Sequence, residues 1–93
     1  MSGEELYQLH ACHTCHSLDG SRMIGPSFKG VYGKEVQLNG EISKIVNDDY
    51  LIESILNPSQ EIVKGFPDLM GSYKLLLNEK EVNTLIDFIK KQK

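Results

Sequence analysis

The chain has 93 residues, 40% hydrophobic and 25% charged, which are ordinary values for one small globular domain and exclude a disordered or fibrous chain. No apolar run approaches the roughly 18 residues needed to cross a membrane, so we expect residues 1–93 to form a single domain without membrane insertion. Ten basic and thirteen acidic residues give a formal charge of −3, and without a basic cluster we expect no nucleic-acid partner.

The first predicted element is an amino-terminal helix that begins after Ser2. Glu5 stands three residues later, which is the capping-box spacing in which each side chain satisfies the backbone amide of the other residue. Leu6 and Tyr7 supply the first apolar positions. We expect this helix to run into Cys12.

A long loop and a short hairpin follow in the next part of the chain. Residues 17–33 hold four glycines and a proline among scattered apolar residues, a pattern typical of a structured functional loop. Residues 34–46 alternate in polarity around Asn39 and Gly40, the pair favoured at the two positive-φ positions of a type I′ turn. This pattern predicts a small hairpin, exposed at the surface.

Two more helices are predicted in the second half of the chain. Residues 47–49 offer an N-cap to a helix that Pro58 ends. Residues 59–77 are irregular. Asn78 with Glu81 forms a second capping box, and Leu77 can pack on Val82 as a hydrophobic staple. The apolar faces of the two helices are Leu51, Ile52, Ile55 and Leu56 in the first, and Val82, Leu85, Ile86 and Ile89 in the second.

Both cysteines and all three histidines lie within residues 10–16. The order Cys12, His13, Thr14, Cys15, His16 is the C-x-x-C-H signature of covalent c-type haem attachment. Two sulfurs on one turn can each form a thioether with a haem vinyl group, and the adjacent imidazole of His16 then faces the iron. We therefore predict one covalent haem c.

Two other uses of the cysteine pair are open to a sequence of this kind. A thioredoxin-like dithiol needs the pair at the start of a helix after a strand, whereas here a helix precedes it. A zinc site needs four ligands in a tetrahedron, and the candidate ligands are crowded into seven consecutive positions. A dithiol site and a zinc site therefore both fit the chain less well than a haem-attachment site does.

Met70 is the candidate for the second axial ligand of the iron. It lies in an irregular segment far from His16, whereas Met1 is terminal and Met23 lies in the loop directly after His16. His/Met ligation is typical of electron-transfer haem proteins. The alternatives are a methionine that only packs in the core, and a haem sensor or enzyme with an open sixth position.

The chain as a whole resembles class I cytochrome c. The matching residues are Gly3, Leu6, Tyr7, the turn 12–16, Gly25, Pro26, residues 28–33, Met70 and residues 85–90. The resemblance implies an all-α fold in which the amino- and carboxy-terminal helices pack across each other around the haem, with a short middle helix, long loops and a small hairpin. It also implies that Gly3 and Tyr7 pack against Leu85 and Phe88.

The resemblance also suggests how residues surround the haem. It implies that the Pro26 carbonyl accepts a hydrogen bond from Nδ1 of His16 and so orients the imidazole. We expect an apolar set to keep water from the iron, namely Phe28, Val31, Leu56, Leu69 and Leu75. The chain has no tryptophan to hold a haem propionate, so the candidates for that contact, or else for ordinary packing, are Tyr32, Tyr50, Tyr73 and Arg22. Gly71 replaces the proline that often follows the ligand methionine in bacterial relatives.

A narrower resemblance lies in residues 25–40 and 48–70, which look like the cytochrome c domain fused to subunit II of caa3-type haem-copper oxidases. It implies an electron carrier rather than an enzyme, a monomer that takes electrons from a quinol-oxidising complex or soluble donor and passes them to a copper-A centre. It also implies the periplasmic or outward-facing side of a bacterial cytoplasmic membrane. A free-standing periplasmic carrier is the alternative.

Overall fold

The computed structural model describes residues 1–93 as three α-helices and one two-stranded antiparallel sheet joined by long loops. The helices are α1 (Gly3–Leu9), α2 (Asp48–Leu56) and α3 (Glu79–Lys90), the strands are β1 (Glu35–Leu38) and β2 (Ile42–Ile45), and short 3₁₀ turns span Cys12–Thr14 and Pro58–Gln60. The predicted arrangement of three helices and a small hairpin is confirmed. None of the helices has the length and apolar character needed to cross a membrane.

Each helix begins at the residue that its local sequence predicts. Ser2 and Glu5 form the reciprocal capping box of α1, and Asn78 and Glu81 form that of α3. Asn47 caps α2 by accepting a hydrogen bond from a backbone amide of the first turn. These side chains satisfy amides that have no partner within a helix, so each helix has a defined start.

The first and last helices pack closely against each other. A Cβ on Gly3 would overlap Cβ of Phe88 and would lie 3.0 Å from the carbonyl oxygen of Thr84, so the two backbones approach where a side chain has no room. The rings of Tyr7 and Phe88 pack with their centroids 5.3 Å apart. Leu85 is buried in the same core cluster as Tyr7, and Phe88 packs against that cluster. The predicted contact between the two terminal helices is confirmed.

One hydrophobic core joins the three helices to the hairpin. All four predicted apolar positions of α3 are buried, and Leu51 and Ile55 of α2 are buried with them. The core consists of Leu6, Tyr7, Leu38, Val46, Tyr50, Leu51, Ile55, Leu77, Val82, Leu85, Ile86 and Ile89. Most of it therefore comes from the helix faces that the 3.6-residue period indicates.

The predicted type I′ turn of the hairpin is wrong in its position. Residues 39–41 connect the strands, and the two positive φ angles fall on Gly40 (83°) and Glu41 (61°) rather than on Asn39 and Gly40. The cause lies outside the hairpin, because the amide of Asn39 donates to the carbonyl of Ile62 at 2.9 Å. That contact holds Asn39 against the segment at residue 62, and the positive φ angles fall one residue later in the chain.

The hairpin is also more deeply packed than predicted. Leu38 is only 4% exposed and forms an antiparallel bridge with Val63. The amide of Lys64 donates to the carbonyl of Gln37 at 2.8 Å, so residues 62–64 pair along the outer edge of β1. Leu38 of β1 therefore belongs to the core and Val36 packs partly against it, whereas β2 is exposed along its length.

Candidate haem-binding site

The two cysteines lie on a short turn that is separate from α1. The prediction that the first helix runs into Cys12 is wrong, because α1 ends at Leu9 and Ala11 adopts a left-handed conformation with φ of 59°. The 3₁₀ turn follows, and the amide of His16 donates to the carbonyl of Cys12 at 2.9 Å. Since a left-handed residue redirects the chain, the turn and His16 take an orientation of their own.

His16 is oriented by one well-defined hydrogen bond. Its Nδ1 lies 2.7 Å from the carbonyl oxygen of Pro26, the contact that the family resemblance implies. Burial lowers the pKa of His16 below its ordinary value, and the bond to Pro26 opposes this more weakly. The neutral ring must carry its proton on Nδ1 because a carbonyl only accepts, so the lone pair of Nε2 is free to bind a metal ion.

The backbone of Gly25 and the ring of Phe28 enclose this imidazole. A Cβ on Gly25 would lie 2.5 Å from Cε1 and 2.8 Å from Nδ1 of His16, so no larger residue fits without movement. The amide of Gly25 donates to the carbonyl of Cys15 at 2.8 Å, which holds the loop against the turn. Phe28 stacks on the imidazole with centroids 4.6 Å apart and planes 15° apart. The ring therefore has a fixed plane.

Further hydrogen bonds close the loop over the residue that follows the histidine. The carbonyl of Ser17 accepts from the amide of Phe28 at 2.8 Å and from Oγ of Ser27 at 3.1 Å. The hydroxyl of Tyr7 donates to the carbonyl of His16, which ties α1 to the same segment. These polar roles have no signal in the sequence, because serine and tyrosine are common and their partners lie about ten positions away in the chain.

The chemistry of the cysteines fits thioether formation better than the two alternatives. Both thiols are unpaired and half-buried. Burial raises the pKa of the Cys12 thiol, so it lacks the lowered pKa of a reactive redox dithiol. No three His, Cys, Asp or Glu side chains come together in a group able to hold a metal ion. A tethered haem needs only the two sulfurs and one imidazole, and these residues are present with the imidazole already oriented.

Met70 lies half-buried in an irregular segment, as predicted, and its ligation of iron stays a prediction. Residues 67–71 make no backbone hydrogen bonds. Leu69 is 70% exposed and Leu75 is 97% exposed, whereas Phe28 packs partly against the core. The proposed contacts of Leu69 and Leu75 with haem stay predictions as well.

The three tyrosines considered for the haem propionates each pack against the protein. The hydroxyl of Tyr32 donates to the carboxylate of Asp48 at 2.6 Å, and that of Tyr73 donates to the carbonyl of His10 at 2.7 Å. Tyr50 lies in the hydrophobic core. These contacts explain each residue without a propionate, so their haem roles remain predictions.

Comparison with known proteins supports the same conclusion as the geometry. Residues 1–93 match the sequence profile of the family described as cytochrome c. Cytochrome c-551 of Azotobacter vinelandii is 52% identical over 33 residues, an alignment that covers 36% of this chain and only 39% of that protein. Cytochrome cH from Methylobacterium extorquens shares the fold, with a TM-score of 0.67 at 20% identity over 95% of this chain and 93% of that one. The chain therefore belongs to the cytochrome c family, has its class I fold, and carries the cysteine spacing with which that family binds haem c covalently.

Proposed function

We propose that this protein is an electron carrier with one covalent haem c. The observation that carries the proposal is the C-x-x-C-H turn with its histidine held by Pro26 at 2.7 Å. Cys12 and Cys15 would form the thioethers, and His16 would bind the iron through Nε2. The bound haem supplies one-electron chemistry between Fe(III) and Fe(II). No side chain has to act as an acid or base.

The surroundings of His16 suit a carrier because they resist movement. The Pro26 carbonyl keeps the proton on Nδ1, which would maintain the basicity of Nε2 toward a bound iron. Gly25 and Phe28 restrict the plane of the ring from two sides. A ligand that moves little during oxidation and reduction favours fast electron transfer.

We propose Met70 as the second axial ligand. Its neutral thioether would favour the reduced iron, and with this sulfur bound the iron would have no open position for a substrate. We also assign Phe28, Tyr32 and Leu69 to haem contacts. The support is the position of Met70 in an irregular segment, far from His16 in the sequence, whose residues 67–71 make no backbone hydrogen bonds.

One experiment separates this carrier from a haem sensor or enzyme with an open site. The ferric holoprotein should show the weak long-wavelength band of sulfur ligation, and the ferrous form should not bind carbon monoxide readily. Met70→Ala should abolish the band and allow carbon monoxide to bind. Met23→Ala is the matched control and should change neither. A band that survives in Met70→Ala contradicts the assignment.

For the partner, we propose the copper-A centre of a caa3-type oxidase, with this chain as the domain fused to subunit II on the periplasmic side of a bacterial membrane. The support is the resemblance of residues 25–40 and 48–70 to such domains. A free-standing periplasmic carrier fits the same fold and the same charge of −3. Both would receive electrons from a quinol-oxidising complex or a soluble donor.

Electron-transfer kinetics in the native protein distinguish these two partners. In a fused domain, the rate of copper-A reduction is independent of protein concentration because the two centres share one polypeptide. A free-standing carrier gives a rate that rises in proportion to its concentration. The second result, together with a native chain that lacks a copper-A domain, would refute the oxidase assignment.

A further inference from the structure

The segment that carries Met70 is anchored at both of its ends. At its carboxyl end, the amide of Tyr73 donates to the carbonyl of Ile55 at 3.1 Å, and Oγ of Ser72 donates to that of Leu56 at 2.5 Å. At its amino end, residues 62–64 pair with β1. Within the segment, Oγ of Ser59 also donates to the carboxylate of Asp68 at 2.9 Å. These contacts together limit where the methionine can lie.

Arg22 adds a contact at the amino-terminal anchor. Its Nη2 donates to the carbonyl of Gly65 at 2.5 Å, and its Cζ lies 4.1 Å from the ring centroid of Phe66. Gly65 adopts a φ of 91°, and the amide of Phe66 donates to the carbonyl of Val63 at 3.0 Å. These features form a turn at residues 63–66, and the guanidinium of Arg22 contacts that turn. We call the contact among Arg22, Gly65 and Phe66 the arginine clasp.

The clasp joins two loops that are distant in the sequence. Arg22 lies in the loop that follows His16 and folds back on the haem-attachment turn through Gly25. Gly65 and Phe66 lie just before the segment of Met70. The clasp is thus a direct side-chain link between the loop beside one proposed iron ligand and the segment that holds the other.

We propose that Arg22 is a positioning residue for Met70, an inference that rests on the proposed ligation of iron by this methionine. Holding the turn at Gly65 and Phe66 reduces the positions open to residues 67–71 and so favours the bound sulfur. A planar guanidinium can stack on the ring while one N–H reaches the carbonyl, and a lysine ammonium does not reproduce that geometry. Arg22 is exposed, so its contact with the ring and its hydrogen bond have the modest strength of surface contacts. Loss of the clasp should therefore favour release of the sulfur by about tenfold.

The test is binding of imidazole to the ferric holoprotein, since imidazole must displace the sulfur to reach the iron. Arg22→Ala, Arg22→Lys and Phe66→Leu should each bind imidazole about tenfold more tightly than the wild type. Phe66→Tyr retains the ring and should behave as the wild type does. Lys64→Ala is the matched control, because it removes a positive charge beside the same turn without touching the clasp.

Thermal unfolding of the same variants separates positioning from a general loss of stability. A residue that merely stabilised the fold would lower the unfolding midpoint and leave imidazole affinity at temperatures far below it unchanged. We expect the affinity to change and the double variant of Arg22→Ala with Phe66→Leu to resemble either single variant. Additive effects would overturn the clasp as a unit.

The failure of this inference differs from the failure of the proposed function. If the wild type shows the sulfur band and Arg22→Ala binds imidazole with unchanged affinity, the positioning role is wrong and Met70 ligation stands. If the wild type lacks the band, Met70 ligation is wrong and the positioning role falls with it. A tenfold change confined to the variants that break the clasp supports both.

Discussion

Replacing Gly25 by alanine tests how closely the loop must approach the proposed iron ligand. The added Cβ would lie 2.5 Å from Cε1, 2.8 Å from Nδ1 and 3.0 Å from Nε2 of His16. Because carbon atoms pack at 3.5–4.0 Å, the imidazole or the loop would have to retreat by about 1 Å. That movement acts on the hydrogen bond from His16 to Pro26 and on the bond from the Gly25 amide to Cys15.

The expected cost follows from the rigidity of both partners. Overpacking of a close-packed site costs roughly 1–3 kcal/mol, and the site of Gly25 cannot relax easily because the ring is held on one side by Pro26 and on another by Phe28. We take about 2 kcal/mol as the expected loss in the free energy of unfolding. For a domain of this size, that loss lowers the thermal midpoint by roughly 10 °C.

The assay is denaturant unfolding of the ferric holoprotein, followed by the haem absorbance and by far-ultraviolet circular dichroism. Gly71→Ala is the matched control, because a Cβ there meets no atom within 4 Å. It should leave the stability unchanged or raise it slightly. If Gly25→Ala unfolds within about 0.5 kcal/mol of the wild type, the close contact with His16 does not constrain the loop and the reasoning is refuted.

Two further predictions concern the helices that support the site. Asn78→Ala removes the N-cap of α3 and should lower the free energy of unfolding by about 1 kcal/mol. Asn83 is exposed within the same helix, and Asn83→Ala should not lower this free energy. Equal effects of the two substitutions would contradict the capping role. The Tyr32 hydroxyl and the Lys90 ammonium lower the pKa of Asp48. The stabilisation that the Asp48 carboxylate provides is therefore complete above the ordinary aspartate pKa of about 3.9. It is lost as the pH falls through the lower pKa of the folded state. Asp48→Asn should therefore lose less stability than the wild type in acid titrations below that value, and parallel acid limbs would refute the contact.

The parts of the fold that the sequence predicts correctly are those that depend on neighbours in the chain. The capping boxes at Ser2 and Asn78 are confirmed, because a cap and its partner lie three residues apart and need no tertiary context. The apolar face of α3 is confirmed for the same reason. The helical period specifies which side chains share a face, and Leu85 and Ile89 lie on one face and are both buried.

The errors occur where a distant residue controls the local geometry. The pair Asn39 and Gly40 favours a type I′ turn, but the bond from Asn39 to Ile62 moves the positive φ angles by one residue. The end of α1 is likewise set by Ala11, whose left-handed conformation no local signal indicates. Alanine has no intrinsic preference for the left-handed region, so the sequence alone does not predict this conformation.

The candidate site likewise combines features that neighbouring residues determine with features that distant residues determine. The attachment turn is a local motif, so Cys12, Cys15 and His16 can be read directly from their spacing. The bond to Pro26 became expected only through a family resemblance, and the structure contains it. The link from Arg22 to the turn before Met70 joins residues 43 positions apart and has no sequence signal at all.

The most direct test of the whole account is the intact mass of the chain after maturation in cells that attach haem, together with titration of its thiols. We predict the mass of the polypeptide plus one haem, retained under denaturing conditions, and no thiol that reacts. Cys12→Ser with Cys15→Ser should yield the mass of the polypeptide alone. Wild-type protein of that lower mass with two reactive thiols would contradict the account.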